Sequence, residues 1–369
     1  MSEWKEYKLG EIADVQTGPF GSQLHQSDYV DVGIPSIMPV NIGERMNIST
    51  EKIVYITEKD AMRLSRYRVQ NGDIVYSRRG DVEKCAYINE SEEGWLCGTG
   101  CLGIRIDSTH ADSKFVAYYL STEDMKSWIS NNAVGTTMPN LNSSILQQVP
   151  LSLPSLEEQK RIASILSSLD DKIDLLNREN ATLEAMAETL FRQWFIEEAK
   201  EDWEEGKLGD LIEVKYGKDH KKLNDGNIPV FGSGGIMRYA DTALYDKESV
   251  LIPRKGSLNN VMYINEPFWT VDTMFYTEMR RPNIAKFIYH FIKRQDLANM
   301  NVGSAVPSMT TEVLNNIPLD IPSQGLFDKY EESVSALYSK QQQNRTQIKT
   351  LTEQRDRLLP ILMSNEIQL

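Results

Sequence analysis

The strongest constraint on the fold is that the 369-residue chain carries one sequence pattern twice. Residues 4–12 reappear at 203–211, an offset of 199 residues. Further matches follow in the same order at offsets that fall to 168: residues 73–80 with 249–256, 114–116 with 286–288, 135–139 with 303–307, and 149–151 with 317–319. A common order with a falling offset is expected of two homologous halves when the first has longer loops. The sequence therefore predicts an internal duplication.

A heptad pattern follows each half. In residues 156–198 apolar side chains recur at spacings of four and three, and the same phase returns 168 residues later with more polar residues. Ser155 followed by Glu158 predicts the start of the first helix. Pro360 predicts that the second helix ends or kinks near its last turn. The predicted seam residues are Ile162, Leu166, Leu169, Ile173, Leu176, Asn180, Leu183, Leu190, Val334, Leu337, Ile348, Leu351 and Leu358.

A helix over residues 156–198 would be roughly 60 Å long at about 1.5 Å per residue. Such a helix needs a partner along its length, and its own copy in the second half is the obvious one. We therefore expect the two helices to form an antiparallel coiled coil that joins the halves about a pseudo-two-fold axis. A polar Asn180 in the seam would fix the register of the pairing. The alternative is two separate amphipathic helices, each packed on its own domain.

The predicted fold class is α+β, with two homologous mixed α/β domains joined by the two long helices. Short β-rich runs bounded by Gly, Pro and Asn predict strands at residues 53–56, 73–76, 102–106, 250–252 and 275–276. Helical patterning covers residues 114–131 and 283–300. The predicted boundaries are 1–152 for the first domain, 153–202 for the first helix, 203–321 for the second domain and 322–369 for the second helix.

Charge excludes a chain that binds nucleic acid through overall basicity, because the net charge is −13. Residues 156–203 alone carry 6 Lys and Arg against 12 Asp and Glu, a net of −6. Three cysteines, an odd number in a long chain, argue against a disulfide scaffold and for a reducing, cytoplasmic location. The first residues lack the basic and apolar regions of a signal peptide, and we expect no membrane association.

No motif for catalysis or for a cofactor is present. The sequence lacks a Walker A loop, a Gly-x-Gly-x-x-Gly segment after a strand, and the Asn-Pro-Pro-aromatic or Asp-Pro-Pro-Tyr motif of amino-methyltransferases. The glycine-rich residues 231–235 suit either a phosphate cradle or a tight turn, and the sequence favours the turn because no Lys-Ser or Lys-Thr pair follows. Cys85, Cys97 and Cys101 have no histidine at ligand spacing and no counterpart in the second half, so we expect small core or turn residues and no metal.

Polar loops at matched positions of the two halves carry the remaining candidates for chemistry. Arginine at the end of a strand can read guanine through two hydrogen bonds or hold a phosphate, and a lysine run suits phosphate. Solvated strand ends and ordinary turns are the alternative explanation for the same residues. The candidate DNA-contacting residues are Ser22, Gln23, Arg78, Arg79, Thr136, Thr137, Asn140, Lys218, Lys221, Lys222, Arg254, Lys255, Ser304 and Ser308.

Four segments resemble the specificity (S) subunits of type I restriction-modification systems. They are WKEYKLGEIADVQTG at residues 4–18, LPSLEEQKRIASILSSLDDKID at 153–174, IPVFGSGG at 228–235 and RDRLLPILMSNEI at 355–367. The resemblance covers the whole chain, including the order of domain, helix, domain, helix. Two departures are Asn365, where the family usually has Gly, and a weaker Glu-Gln-x-x-Ile pattern at residues 324–330.

This resemblance implies a non-catalytic subunit that recognises double-stranded DNA. Each target-recognition domain would read half of a split, asymmetric site, and the helices would set the spacing and dock two modification (M) subunits. The M subunits would carry S-adenosylmethionine and methylate adenine at N6, and restriction (R) subunits with ATP-driven activity can join. The chain itself would bind no cofactor. The alternatives are a stand-alone DNA-modifying enzyme and a duplicated coiled-coil scaffold without a DNA role.

Overall fold

A computed structural model describes residues 4–135, 139–300 and 307–364. The chain divides into two compact units: unit 1 comprises Met1–Leu175 and Gln347–Leu369, and unit 2 comprises Leu176–Thr346. This division differs from the predicted boundaries, which kept each long helix apart from the domains. Each unit instead contains one mixed α/β part together with a portion of both helices. The reason is that helix side chains complete the hydrophobic core of each unit.

Unit 1 is built from short strands and helices around a four-stranded antiparallel sheet. Its strands are β1 (Lys5–Lys8), β2 (Ala13–Thr17), β3 (Tyr29–Val30), β4 (Ile34–Ile37), β5 (Val54–Ile56), β6 (Ile74–Ser77), β7 (Cys85–Tyr87), β8 (Leu96–Cys97), β9 (Cys101–Ile106) and β10 (Pro150–Leu153). Its helices are α1 (Leu9–Ile12), α2 (Glu58–Arg63), α3 (Ser113–Leu120), α4 (Glu123–Asn132), α5 (Ser143–Leu146) and the first half of α6 (Leu156–Arg192). The sheets have the orders β2-β9-β6-β7, β3-β5-β4-β8 and β1-β10.

Unit 2 repeats this plan with fewer elements. Its strands are β11 (Glu204–Lys207), β12 (Ile212–Tyr216), β13 (Ile228–Gly232), β14 (Gly235–Ala240), β15 (Ser249–Pro253), β16 (Met262–Ile264), β17 (Trp269–Thr270), β18 (Met274–Met279) and β19 (Pro318–Ile321). Its helices are α7 (Leu208–Leu211), α8 (Ala285–Lys293), α9 (Thr311–Asn315) and the first part of α10 (Gln324–Met363). The sheets have the orders β12-β18-β15-β16, β14-β13-β17 and β11-β19.

Two of the three sheets correspond strand by strand between the units, β2-β9-β6-β7 with β12-β18-β15-β16 and β1-β10 with β11-β19, whereas the third sheet has four strands in unit 1 and three in unit 2. In each unit the strand before the first short helix pairs with the strand that leads into a long helix, β1 with β10 and β11 with β19. The central strands β6 and β15 are buried along their whole length. Fully buried strands have continuous apolar sequences, so the sequence pattern predicted the bounds of β6 and β15 to within one or two residues.

The two predicted domain helices are shorter than expected. The helical pattern at 114–131 is broken between α3 and α4, where the Ser121 and Thr122 hydroxyls donate to the carbonyls of Tyr118 and Tyr119. The pattern at 283–300 gives only α8, which ends at Lys293. Beyond it Asp296 accepts from the backbone and the side chain of Asn299, so local side-chain bonds replace helical ones.

The long helices begin and end close to their predicted limits. Ser155 Oγ accepts from the Glu158 amide at 3.3 Å at the start of α6. A π-helical turn, Gln193–Glu197, follows α6. Helix α10 continues through Pro360 and ends at Met363, within one turn of the proline. A proline removes one backbone donor and clashes with the preceding turn, so only the end of a helix tolerates it at moderate cost.

Each unit uses side chains of both long helices. In unit 2, Ala187, Phe191 and Phe195 of the α6 region lie in the core with Tyr330 and Val334 of α10. In unit 1 the core includes Ile162, Ala163 and Leu166 of α6 with Leu362 and Met363 of α10. Among the predicted seam residues, Ile162, Leu166, Ile173, Leu176 and Val334 are buried, and Leu169, Asn180, Leu183, Leu190, Leu337, Ile348, Leu351 and Leu358 are half-buried.

Polar contacts between the two helices occur in a consistent order. In unit 2 the Tyr330 hydroxyl donates to the Ala187 carbonyl at 3.1 Å, and Asn344 Nδ2 donates to Asn180 Oδ1 at 3.0 Å. In unit 1 the Arg355 guanidinium lies 3.2 Å from the Asp170 carboxylate. Contact positions therefore rise along α10 while they fall along α6. None of the described helices, α6 and α10 included, combines the length and the hydrophobicity of a membrane-spanning segment.

Candidate nucleic-acid interface

Arg78 is held at the end of β6 by backbone and side-chain contacts. Its amide donates to the Gly100 carbonyl at 2.8 Å, and its own carbonyl accepts from the Leu141 amide at 2.8 Å. Arg78 Nε donates to the Leu141 carbonyl at 3.3 Å. The guanidinium carbon lies 5.2 Å from the ring centroid of Phe20, a side chain that is 51% exposed. Partial burial, and then the charge of Arg79, lower the pKa of Arg78.

Arg254 has the same arrangement at the end of β15. Its amide donates to the Thr273 carbonyl at 2.8 Å, and its carbonyl accepts from the Met309 amide at 2.9 Å. Arg254 Nη1 donates to the Asp272 carbonyl at 3.1 Å. Its guanidinium carbon lies 5.4 Å from the ring centroid of Tyr216, which is 53% exposed. Each unit therefore places one strand-end arginine over one exposed aromatic ring.

The residue after each arginine points a second charge toward solvent. Arg79 and Lys255 are exposed. Their backbones pair in single β-bridges with those of Asn140 and Ser308, respectively. The next residue in each unit is a glycine with a positive φ, 76° at Gly80 and 85° at Gly256, a conformation that side chains other than glycine rarely adopt. The Asn140 side-chain oxygen is buried and has no hydrogen-bond partner among the described residues. Thr136, Thr137 and Ser304 lie outside the described residues.

The loop that contains Ser22 and Gln23 is tied to a basic segment that sequence reasoning missed. Ser22 is exposed. Gln23 Oε1 accepts from the Phe20 amide at 3.2 Å and from the Tyr67 hydroxyl at 2.9 Å. The Gln23 carbonyl accepts from Arg63 Nη1 at 2.8 Å. The Gln23 oxygens therefore hold the loop together. Arg63 beside it is ion-paired with Asp60 at 2.8 Å, and the exposed Arg66, which lies over the Tyr67 ring, brings positive charge to this place.

In unit 2 the positive charge comes from the corresponding loop itself. Lys218, Lys221 and Lys222 are exposed. The Lys218 amide donates to the Thr270 carbonyl at 2.8 Å, and its carbonyl accepts from Trp269 Nε1 at 3.0 Å. The Lys221 amide donates to Asp219 Oδ1 at 3.1 Å. The backbone of this loop is thus held by the sheet while its lysine side chains extend into solvent, an arrangement suited to phosphate.

The sequence model for the type I restriction modification DNA specificity domain matches this chain at residues 1–185 and again at 200–350. The chain belongs to this family. The two matches confirm the internal duplication. As a type I specificity protein, the chain recognises DNA sequence, and its loops at the ends of β6 and β15 are candidates for that recognition.

Two curated relatives match this specificity protein along nearly its whole length. The MjaIX specificity subunit of Methanocaldococcus jannaschii is 24% identical over 99% of this chain and 94% of its own length. The HindI specificity subunit of Haemophilus influenzae is 20% identical over the full length of both chains. The crystal structure of a type I S subunit from M. genitalium has the same fold, with a TM-score of 0.63, 20% identity and 98% of this chain covered.

Within residues 4–135, 139–300 and 307–364, the specificity protein shows no metal centre. No group of three or more His, Cys, Asp or Glu side chains is placed to hold a metal in that part of the chain. The three cysteines are free and buried, as predicted. Burial raises the pKa of Cys85 and of Cys97 to about 12, so neither thiol is a nucleophile near neutral pH. The glycine-rich residues 231–235 form the predicted tight turn, between β13 and β14.

Proposed function

We propose that each unit reads one half of a split, asymmetric DNA site through the loops around Arg78 in unit 1 and Arg254 in unit 2. The observation that carries this proposal is the repeated arrangement of a strand-end arginine over an exposed ring. A DNA site with two unlike half-sites requires two recognition surfaces of similar architecture and different loop residues. Arginine is suited to this role because its planar fork matches the O6 and N7 acceptors of guanine in the major groove.

The long helices form the spacer between the two half-site readers, as an antiparallel coiled coil with pseudo-two-fold symmetry. The opposite order of contacts along α6 and α10 supports this arrangement. So does the burial or partial burial of every predicted seam residue. The hydrogen bond between half-buried Asn180 and buried Asn344 lies in the predicted seam, where a polar pair penalises other registers more than it stabilises its own.

The chain acts within a complex and supplies no chemistry of its own. We expect two M subunits that carry S-adenosylmethionine and methylate adenine at N6, with R subunits and ATP in the restriction complex. The acidic segment at residues 156–203 supports a protein-facing role for the first helix, because like charge would repel DNA phosphate. The absence of a cofactor motif in the sequence supports a chain that binds neither S-adenosylmethionine nor ATP.

Methylome sequencing of a host that expresses the M subunit, with and without this chain, tests the proposal. We expect a two-part adenine motif only when both are present. Purified chain alone should neither methylate nor cleave DNA. Stoichiometric methylation by the chain alone would establish the stand-alone enzyme instead. Methylation by the M subunit that is unchanged when this chain is removed would establish a scaffold without a DNA role.

A further inference from the structure

Phe20 and Tyr216 are unusual among the aromatic side chains of the protein. Of the Phe, Tyr and Trp residues in the described part of the chain, only these two are exposed, at 51% and 53%. Both lie beneath the strand-end arginine of their own unit, at 5.2 and 5.4 Å. An exposed aromatic ring gives up the free energy that burial would provide. Two such rings at matched places therefore point to a role outside the hydrophobic core.

The two rings come from different sequence positions. Gly18 and Gly217 are aligned by the repeat, and an added Cβ would meet a backbone carbonyl oxygen at 2.3 Å in the first and 2.1 Å in the second. Phe20 lies two residues after its glycine, whereas Tyr216 lies one residue before its own. The ring–arginine contact is therefore not one inherited pair of aligned residues. Unit 1 makes the contact with Phe20, which follows β2, and unit 2 makes it with Tyr216, the last residue of β12.

Each arginine that lies over a ring keeps donors for a ligand. Arg78 Nε is used by the Leu141 carbonyl, while its two terminal nitrogens have no acceptor among the residues the structure describes. Arg254 uses Nη1 for the Asp272 carbonyl, and its Nε and Nη2 have no acceptor within the described ranges. Among the described residues, each guanidinium therefore keeps two adjacent donors without an acceptor. A bidentate contact to a base requires two donors in one fixed plane, and a restrained side chain loses less entropy when it binds.

We infer that Phe20 and Tyr216 are specificity-determining positioning residues, which hold Arg78 and Arg254 in the plane that reads a base edge. This inference rests on the proposed function, in which each unit reads one half-site. The rings act through the arginines. Their loss leaves the positive charge in place and removes its orientation, so sequence discrimination falls while attraction to phosphate stays.

The test uses the full chain in complex with its modification subunits. Phe20→Ala and Tyr216→Ala are compared with the ring-preserving variants Phe20→Tyr and Tyr216→Phe, and with Met62→Ala as an exposed apolar control in unit 1. Affinity is measured for duplexes with the wild-type motif and with single base changes in each half-site. We expect each ring-to-alanine change to weaken cognate binding about 2- to 30-fold, the range of a cation–π contact. Discrimination between bases should be lost at only one position of one half-site.

Three readouts separate positioning from a merely structural effect. The ring-preserving variants should bind like wild type, the salt dependence of non-specific binding should not change, and the other half-site should serve as an internal control. In the Arg78→Ala background, Phe20→Ala should have no further effect, because the ring acts through the arginine.

Additive losses in that double variant, or wild-type discrimination in both alanine variants, would overturn the inference. An equal loss for all sequences would overturn it as well. A continuous wild-type motif would contradict the proposed half-site division instead. The affinity ratios of the ring variants on that motif would still decide the role of the rings.

Discussion

The Tyr338 hydroxyl lies 2.8 Å from His290 Nε2 in the interior of unit 2. This pair connects α10 to α8. The repeat offsets align His290 with Tyr118 and Tyr338 with Asp170, and in unit 1 the Tyr118 hydroxyl donates to Asp170 Oδ2 at 2.7 Å. The two units thus preserve a polar contact between a domain helix and a long helix while exchanging the chemistry of both partners. Only the unit 2 version contains a histidine.

His290 should make the stability of unit 2 depend on pH. Burial lowers the pKa of His290 to about 4, whereas a histidine in an unfolded chain has a pKa of about 6.5. Between these values the unfolded state binds more protons than the folded state, so stability falls as the pH falls from about 6.5 to about 4. We expect this group to remove about 2–4 kcal/mol over that range. The free energy of unfolding is measured with urea at pH 7 and at pH 4.5. In His290→Gln it should decrease less between these two pH values than in the wild type, because the contribution of His290 is absent. His25→Gln, at an exposed position, is the matched control and should show the same pH dependence of the free energy of unfolding as the wild type. An equal pH dependence in His290→Gln and the wild type would contradict the prediction.

Arg78→Ala and Arg254→Ala should each weaken recognition of one half-site. Loss of a bidentate base contact costs about 1–3 kcal/mol and relaxes one base position. Binding of each variant complex to duplexes altered in one half-site at a time measures the effect. A phosphate contact would instead weaken binding to all sequences and lower the salt dependence. If both variants bind with wild-type affinity and salt dependence, the arginines are solvated strand ends.

Replacing Lys218, Lys221 and Lys222 together with glutamine should reduce the salt dependence of binding without changing the motif. Each lost phosphate contact should lower the slope of log K against log salt by about 0.9. Lys247→Gln is a suitable control, because Lys247 is exposed and precedes β15, whereas Arg254 follows that strand. Titrations of the complex at several salt concentrations give the slope. A changed motif with an unchanged slope would show that the lysines read bases.

Lengthening both long helices by one heptad should lengthen the spacer of the recognised site. Insertions near Leu176 and Asn344 lie within about a turn of the Asn180–Asn344 contact and keep the seam in phase. Seven residues add about 10 Å of helix, which is at most roughly three base pairs at about 3.4 Å each. We expect the same half-sites one to about three base pairs further apart in the methylome of a host with the M partner. An insertion in one helix alone should slip the pairing and destabilise the protein. An active double insertion with an unchanged spacer would show that the helices do not set the distance.

Local patterns were enough to predict the duplication, the heptad phase, the buried strands β6 and β15, and the arginine at the end of each. These features repeat along the chain or depend on near neighbours, so the order of apolar and polar residues reveals them. The two domain helices were predicted too long for a related reason. Their apolar pattern continues past residues 121 and 293, but side-chain bonds at Ser121, Thr122 and Asp296 end the helical backbone there.

The contacts that complete the candidate site depend on packing between residues far apart in the chain. Nothing in the sequence shows that Phe20 and Tyr216, at unaligned positions, occupy equivalent places under Arg78 and Arg254. Nor does it show that Arg63 reaches the Gln23 loop across 40 residues. The sequence also does not show that the Tyr118–Asp170 hydrogen bond of unit 1 is replaced by a His290–Tyr338 hydrogen bond in unit 2. Periodicity places a side chain on a face of its element, but only the packing of elements decides which distant side chain it meets.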